Sequence, residues 1–401
     1  MNEKQEVVII GHGSTSRLGV VRSVAECGCY ITVIVMAGKR RKGTLNTHKP
    51  FDCYSKYVNR VLFCPALDGD SLIRLLLTKC KSTNGKGKVI IIPDNDFSAA
   101  TIDDNKDVLK DYFLFPHIIN EPSSFRYWMD KENQKSLARE AGLVVSNSKR
   151  IPYLNGHFCI PPGIEFPCFT KAVTSISGGK SLFHKCDNKE ELCSFLESID
   201  NRPELSIMAE NYNEIETEYA IVGFSTGNSV SIPGIIRFTA NSASHYGIAM
   251  CGEVISMSGF DELLDKFRLF IQRIGFVGLF DIDFYYCKHQ YFFSEVNLRF
   301  GGSGYAITKM GVNLPAMLIR YFQGEDVSKD SRITTGEVKS FVNERICNDD
   351  WFKGYISNHE YNQLINKAEI SFVKDRLDPK PQLFFKRTHF IMMIKKWIKH
   401  F

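Results

Sequence analysis

The chain has 401 residues, 44% apolar and 24% charged, with a formal net charge of +5. That is ordinary globular composition, long enough for two or three domains, and too mildly basic to imply nucleic acid. The start, MNEKQEVVIIGHG, lacks an n-region leading into an apolar h-region, and no uncharged apolar run reaches the roughly 18 residues that span a bilayer. Neither a secretory signal nor a transmembrane helix is therefore expected. The twelve cysteines fall singly apart from Cys27 and Cys29, with no C-x-x-C pair. This argues against a zinc site or a disulfide framework and sets a reducing cytoplasm as the expected compartment.

In chain order, EVVII at 6–10 predicts a buried strand, and a Gly-rich turn (Gly11-His-Gly13-Ser-Thr-Ser) follows. Leu18–Gly28 reads as a helix, YITVIVMAG as a second strand, Ser71–Lys81 as a helix and KVIIIPDND as a third strand. Strand–helix alternation predicts a parallel, doubly wound, Rossmann-like α/β domain over residues 1–120. A dinucleotide site is the obvious reading of the turn, but Ser16 replaces the third glycine of G-x-G-x-x-G. The second strand also ends in Ala37-Gly-Lys39-Arg40-Arg41 rather than an acid. An NADP-binding domain stays as a minor alternative.

From about residue 128 the pattern becomes α+β. A helix, MDKENQKSLAREAGLVV, ends at Gly142, and FTKAVTSISGGKS is a strand running into a Ser/Gly loop. Lys171 ends that strand, where it would supply a point charge to phosphate oxygens cradled by loop N–H groups. A plain hairpin is the alternative there. In IMAENYN, Glu210 stands where an apolar strand runs out, followed by Glu214, Glu216 and Glu218; this is either a nucleoside-recognising edge or a solvated acidic turn.

Two further strands, Leu279–Tyr286 and Tyr291–Asn297, are predicted to form a hairpin. Period two puts Glu295 and Asn297 on one face, and Asp281 and Asp283 on one face of the partner. Acids in so apolar a setting (Phe280, Ile282, Phe284, Phe292, Phe293) require a cation. Asp283, Glu295 and Asn297 form a hard-oxygen set suited to Mg²⁺. Because CKHQ is an unusual turn, the register leaves Asp281 open as the ligand in place of Asp283.

This order of elements resembles the ATP-grasp superfamily of carboxylate ligases over residues 121–325. IIGHGSTSRLGVVRS, YSKYV and KVIIIPDND are similar to the N-terminal domain of carboxylate–amine ligases such as D-aspartate ligases and carbamoyl-phosphate-synthase-like proteins. The resemblance implies a pre-ATP-grasp domain (1–120), two α+β subdomains clasping ATP (121–325), and a C-terminal extension (326–401). It implies that Lys131 and Lys171 bind ATP phosphates and that Ser175, Ser177, Gly178, Gly179 and Lys180 form a mobile covering loop. Glu210, Asn211, Tyr212 and Asn213 would form the adenine hinge, and Glu218 would hold the ribose. Asp283, Glu295 and Asn297 would hold Mg²⁺, or Mn²⁺ in its place, and Arg299 would face the acyl phosphate or substrate carboxylate. Some dipeptide-ligase members carry an arginine where this chain has Asp281, so Arg237 is the candidate to supply the missing charge.

The implied reaction joins a small-molecule carboxylate to an amine at the expense of ATP, in a setting such as cell-envelope or polysaccharide synthesis. A nucleotide-binding module without ligase activity, serving as sensor or scaffold, is the alternative. Substrate-side residues are expected in the N-terminal domain and in loops such as Asn241–Gly247. Homodimers are common in the family. Finally, Phe390, Ile394, Trp397 and Phe401 recur at helical spacing beside Lys386, Arg387, Lys395, Lys396 and Lys399. Such a helix either lies peripherally on the inner face of an anionic membrane or packs its stripe on the core.

Overall fold

The computed structural model describes residues 4–37, 48–82, 87–120, 123–174, 179–199, 202, 204–245, 247–327, 333 and 337–398. The N-terminal domain alternates β1 (Glu6–Gly11), α1 (Thr15–Ala25), β2 (Tyr30–Met36), β3 (Val58–Cys64), α2 (Gly69–Lys79), β4 (Val89–Pro93), α3 (Asp96–Asp104) and β5 (Phe113–Leu114). Its sheet is all parallel, in the order β3-β2-β1-β4-β5. Val7, Ile9, Ile31, Val33, Ile90 and Ile92 are buried in it, as their unbroken apolar runs require when helices cover both faces. β3 is not an apolar run: it is an edge strand with half-exposed residues. The order reverses between β1 and β4, and a doubly wound sheet forms its ligand crevice at such a point.

The next sheet has four strands, β7 (Ser148–Ile151), β8 (Cys168–Ala172), β9 (His184–Cys186) and β10 (Ile207–Asn211), in the order β9-β8-β10-β7. The helix α4 (Lys131–Glu140) precedes it, joined by a two-residue strand β6 (Val144–Val145), and α5 (Lys189–Glu197) lies within it. The largest sheet is built on β11 (Thr217–Thr226), β12 (Ile235–Asn241), β13 (Ala249–Ile255), β14 (Phe276–Cys287) and β15 (Gln290–Asn297), with α6 (Asp261–Ile274) packed on its apolar face.

Residues of the C-terminal extension complete this sheet. β16 (Lys339–Val342) pairs with β13, and β17 (Ile370–Ser371) pairs with β16. A buried clasp ties the extension to the first domain. Arg22 Nε donates to Asp378 at 3.1 Å, and Ser55 Oγ and the Lys56 N–H donate to the same carboxylate at 2.7 and 2.9 Å. The final helix α7 (Lys380–Ile398) stacks Phe384 on Tyr54, ring centroids 4.5 Å apart. Among the described residues no helix is long and apolar enough to cross a membrane.

Candidate active site

β14 and β15 form the expected hairpin, longer than the sequence suggested. The loop is only Lys288-His289, both with positive φ (50° and 62°), which is the backbone of a type I′ turn without its usual glycine. The Lys288 N–H donates to Glu216 at 3.1 Å and Lys288 Nζ to Asn213 at 3.2 Å, and these bonds help hold the turn. Cys287 pairs with Gln290, and one irregularity at Ser294 shifts the register. Asp283 then lies opposite Glu295, and Asp281 opposite Asn297. Phe280, Ile282, Phe284, Phe293 and Val296 are buried in the core shared with α6.

Asp283 and Glu295 open onto a cavity of about 270 Å³ between the four-stranded sheet and the large one. Asp281 and Asn297 sit deeper, each 9% exposed. Burial pushes the Asp281 carboxyl up to about 7, partly offset by Arg299. Phe169, Phe183, Tyr212, Ile215, Tyr219 and Phe238 give the cavity largely apolar walls.

Two lysines line this space, and a third, buried, shares a carboxylate with one of them. Lys131 opens α4, where Asp130 caps the helix by accepting from the Glu132 N–H at 2.9 Å, and its ammonium pairs with Glu295. Lys171 on β8 pairs with Glu210 on the neighbouring β10. Lys135, one turn after Lys131, donates to the same Glu210 oxygen at 2.6 Å and to the Ser146 carbonyl at 3.2 Å. Burial, with Lys171 adding repulsion, lowers the Lys135 ammonium to about 8. The two lysines on Glu210 instead hold its carboxyl below the usual range despite its burial. One carboxylate thus serves two ammonium groups. Sequence reasoning missed Lys135; the available signal was its i,i+4 spacing from Lys131, which puts both on one helix face.

The Glu210 carboxylate therefore points to the lysines. At the hinge, the N–H groups of Asn211 and Tyr212 already donate to Asn147 and Pro167 carbonyls at 2.9 and 3.0 Å. Asn213 Nδ2 donates to Ser146 Oγ at 2.7 Å and to the Tyr285 hydroxyl at 2.9 Å. Glu218 lines the cavity and accepts from Asn241. Arg237, expected to supply charge to the site, does not line the cavity. Phe238 faces the cavity, so strand alternation turns Arg237 to the other side, where it pairs with Glu253 at 2.5 Å. Ser175, Ser177 and Gly178 lie outside the described residues, as do Lys39–Arg41. Gly179 and Lys180 begin a single 3₁₀ turn ending at Leu182.

Arg299 leaves the hairpin toward the N-terminal domain and donates through Nε to Asp96 at 2.7 Å. Nearby, Ser14 and Ser16 of the Gly-rich turn donate to Asp94 at 2.8 and 2.7 Å. Fully buried Arg17 fastens the turn from below, donating to Asp52 at 2.5 Å and to the Gly11 carbonyl at 2.6 Å. A pyrophosphate there would meet the Asp94 carboxylate, which argues against the dinucleotide alternative.

The donor set on the hairpin suits a hard divalent cation, because two carboxylates and an amide oxygen leave room for water and phosphate oxygens. Among the described residues no three His, Cys, Asp or Glu side chains converge tightly enough to hold a metal by themselves.

No known-family profile matches the chain. A D-aspartate ligase of Enterococcus faecium is 23% identical over 287 residues, 65% of each chain. The carbamoyl phosphate synthase large chain of Gemmatimonas aurantiaca is 22% identical over 204 residues, half of this chain and 19% of that protein. The chain thus spans less than two thirds of either relative. The crystal structure of N5-carboxyaminoimidazole synthetase from Staphylococcus aureus with ADP superposes with a TM-score of 0.64 at 15% identity, covering 90% of this chain and 87% of that one. Along nine tenths of its length the chain thus has the fold of that structure, the ATP-grasp fold.

Proposed function

We propose that the protein is an ATP-dependent ligase that activates a carboxylate as an acyl phosphate and joins it to an amine. The observation that carries this reading is the charge arrangement in the cavity. Lys131 sits on Glu295, and Lys171 and Lys135 share Glu210; Lys131, Lys171, Glu210, Glu295 and Asp283 line the cavity together with its apolar walls. Both lysines that line the cavity stand on carboxylates that phosphate oxygens can replace. The phosphates of ATP take Lys131 and Lys171 from their carboxylates, which frees Glu295 for a metal ion. Asp283, Glu295 and Asn297 would hold Mg²⁺ or Mn²⁺, which supplies neutralisation of phosphoryl charge. The adenine lies among Phe169, Phe183 and Tyr212, and Glu218 reaches the ribose hydroxyls.

A carboxylate oxygen of the first substrate then attacks the γ-phosphorus, the β–γ bridging bond breaks, and ADP leaves with its electrons. Amine nitrogen attacks the acyl carbon and inorganic phosphate departs. Positioning and electrostatics carry both steps, so no side-chain nucleophile is required. The similarity to a D-aspartate ligase supports this reading. The test is ADP release by the full chain with MgATP, with and without mixed amino acids. Dependence on the added acids is expected, and nucleotide binding without any such dependence would leave only a sensor or scaffold.

Lys131→Met and Lys171→Met should each weaken MgATP binding by about tenfold, as loss of one charge-assisted phosphate contact implies. Calorimetric titration with unchanged affinity in both variants would contradict their assignment.

Two wider parts of the reading concern partners. One is homodimerisation, checked by sedimentation equilibrium. The other is peripheral contact of α7 with anionic lipid on the cytoplasmic face. Pro381 and Phe384 anchor the start of the helix, whereas Phe390, Ile391 and Ile394 are exposed near Lys386 and Arg387. The side chains of Trp397, Phe401, Lys395, Lys396 and Lys399 lie outside the described residues. Joint substitution of Phe390, Ile391 and Ile394 by serine should reduce co-sedimentation with anionic liposomes, and equal sedimentation would sink the idea.

A further inference from the structure

We propose that Asp350, on a helix of the C-terminal extension, is a positioning residue for nucleoside recognition: it holds Asn241 against Glu218 and so sets how strongly the site prefers a nucleotide with ribose hydroxyls. The inference rests on the reading of Glu218 as the acid that meets the ribose, and adds the residues that aim it. It starts at the end of β12. Pairing with β13 slips twice there, between Phe238 and Ala240 and again between Ala240 and Asn241. Irregularities of this kind re-aim side chains beside functional sites. Phe238 and Asn241 both line the cavity as a result, although regular alternation would put them on opposite faces.

Asn241 Nδ2 donates to Glu218 Oε2 on the neighbouring strand β11, and Glu218 lines the same cavity. Asn241 is itself exposed at a strand end, so this contact needs the chain after it to be fixed. Asp350 does the fixing from the helix Glu344–Lys353, where it is fully buried. Its carboxylate accepts from Ser242 Oγ at 2.7 Å, from the Ala243 and Ser244 N–H groups at 2.8 and 3.2 Å, and from Ser244 Oγ. All of these donors lie on the residues directly after Asn241. The Ser242 N–H also donates to the Ile248 carbonyl at 2.9 Å, and His245 Nε2 lies 3.3 Å from Asp349. The helix is anchored in turn. At its start Glu344 accepts from the Phe372, Val373 and Lys374 N–H groups at 3.0 Å each, and Ile346 and Cys347 share a buried cluster with Met250 and Cys251 of β13.

A buried carboxylate with its acceptors satisfied rigidifies the segment that supplies the donors. Here that segment begins next to the residue that touches Glu218, so the rigidity is delivered to the cavity. A Glu218 carboxylate already held by Asn241 loses less side-chain freedom when ribose hydroxyls donate to it. The preference for a hydroxylated sugar is thereby set in part by the C-terminal extension, from outside the strands that carry the nucleotide site.

The experiment measures, by calorimetry on the full chain, the affinities of MgATP and of its 2′,3′-dideoxy analogue, which lacks both hydroxyls. Wild type should prefer MgATP by about tenfold or more. Asp350→Asn and Asn241→Ala should each weaken MgATP binding about three- to tenfold and leave the affinity of the dideoxy analogue unchanged, so that the preference shrinks. Ser244→Ala, which removes one donor and leaves the acid in place, should act in the same direction by about threefold. It carries the test of the anchor if Asp350→Asn does not fold. Equal weakening of both nucleotides would mean a merely structural role and would overturn the proposal. So would an undiminished preference in the variants, with the nucleotide reading left intact. If wild type binds both nucleotides equally, Glu218 does not meet the ribose, and the proposal falls while ATP binding stands. If wild type binds neither, the nucleotide reading falls as well.

Discussion

Glu295→Gln is expected to lower turnover by about three orders of magnitude or more while MgATP still binds. The expected loss follows from removing one anionic metal ligand, which withdraws several kcal/mol of transition-state charge stabilisation, roughly a factor of ten per 1.4 kcal/mol. Affinity is largely spared because Glu295 competes with the phosphates for Lys131 in the free protein. Without that carboxylate, Lys131 stands in a buried position with only the more distant Asp96 and Glu210 in support. The free variant should therefore melt roughly a few degrees lower than wild type, and MgATP should restore most of the difference. ADP formation by the variant at the wild-type rate would refute the metal assignment. Asp283→Asn should show the same pattern.

Glu210→Leu is expected to be the most destabilising single change in the cavity. It strands two ammonium groups, Lys135 and Lys171, where each is less than a tenth exposed. Removing one partner of a buried pair costs about 3–5 kcal/mol. Adding Lys135→Met should recover part of the loss, because the double variant buries one unpaired charge instead of two. Lys135 also gives a pH signature of known sign. Its folded-state pKa, about 8, is below the ordinary lysine value, so the folded chain loses this proton first. Between about pH 8 and the ordinary lysine value near 10.4, the unfolded chain then binds more protons, and this group's contribution to stability rises with pH. Lys135→Met should flatten that rise relative to wild type in urea unfolding measured across the window. Parallel pH profiles, or a Glu210→Leu variant as stable as wild type, would contradict this account of the pair.

The hairpin acids were legible because they interrupt apolar strands at period two, so Asp281 and Asp283 had to share a face of one strand, and Glu295 and Asn297 a face of the other. Their register was not. Lys288-His289 adopts a left-handed turn without glycine, and the shift at Ser294 is a tertiary adjustment with no local signal. The doubly wound domain was legible from β1, β2 and β4, whose runs are apolar throughout. β3 escaped because an edge strand needs only part of its surface buried.

The ion pairs were the least accessible part. Lys135 sits in a polar helix and meets Glu210 only once that helix packs beside the four-stranded sheet. Glu210 looked like an acid at a hinge, yet its neighbours across the sheet give it a buried electrostatic role. The C-terminal extension carries no local sign of how it is fastened. Its Asp378 reaches Arg22 across 356 residues, a contact that no local window contains.

The central claim is that a carboxylate is phosphorylated in this cavity, and one isotope measurement tests it most directly. The full chain is incubated with MgATP, the stimulating amine and carboxylic acids labelled with ¹⁸O in the carboxylate, and the released inorganic phosphate is analysed by mass. An acyl phosphate transfers one carboxylate oxygen to phosphate, so the account predicts one ¹⁸O per phosphate released. Phosphate carrying no label, with ADP formed all the same, would mean that water attacks the nucleotide and would contradict the account.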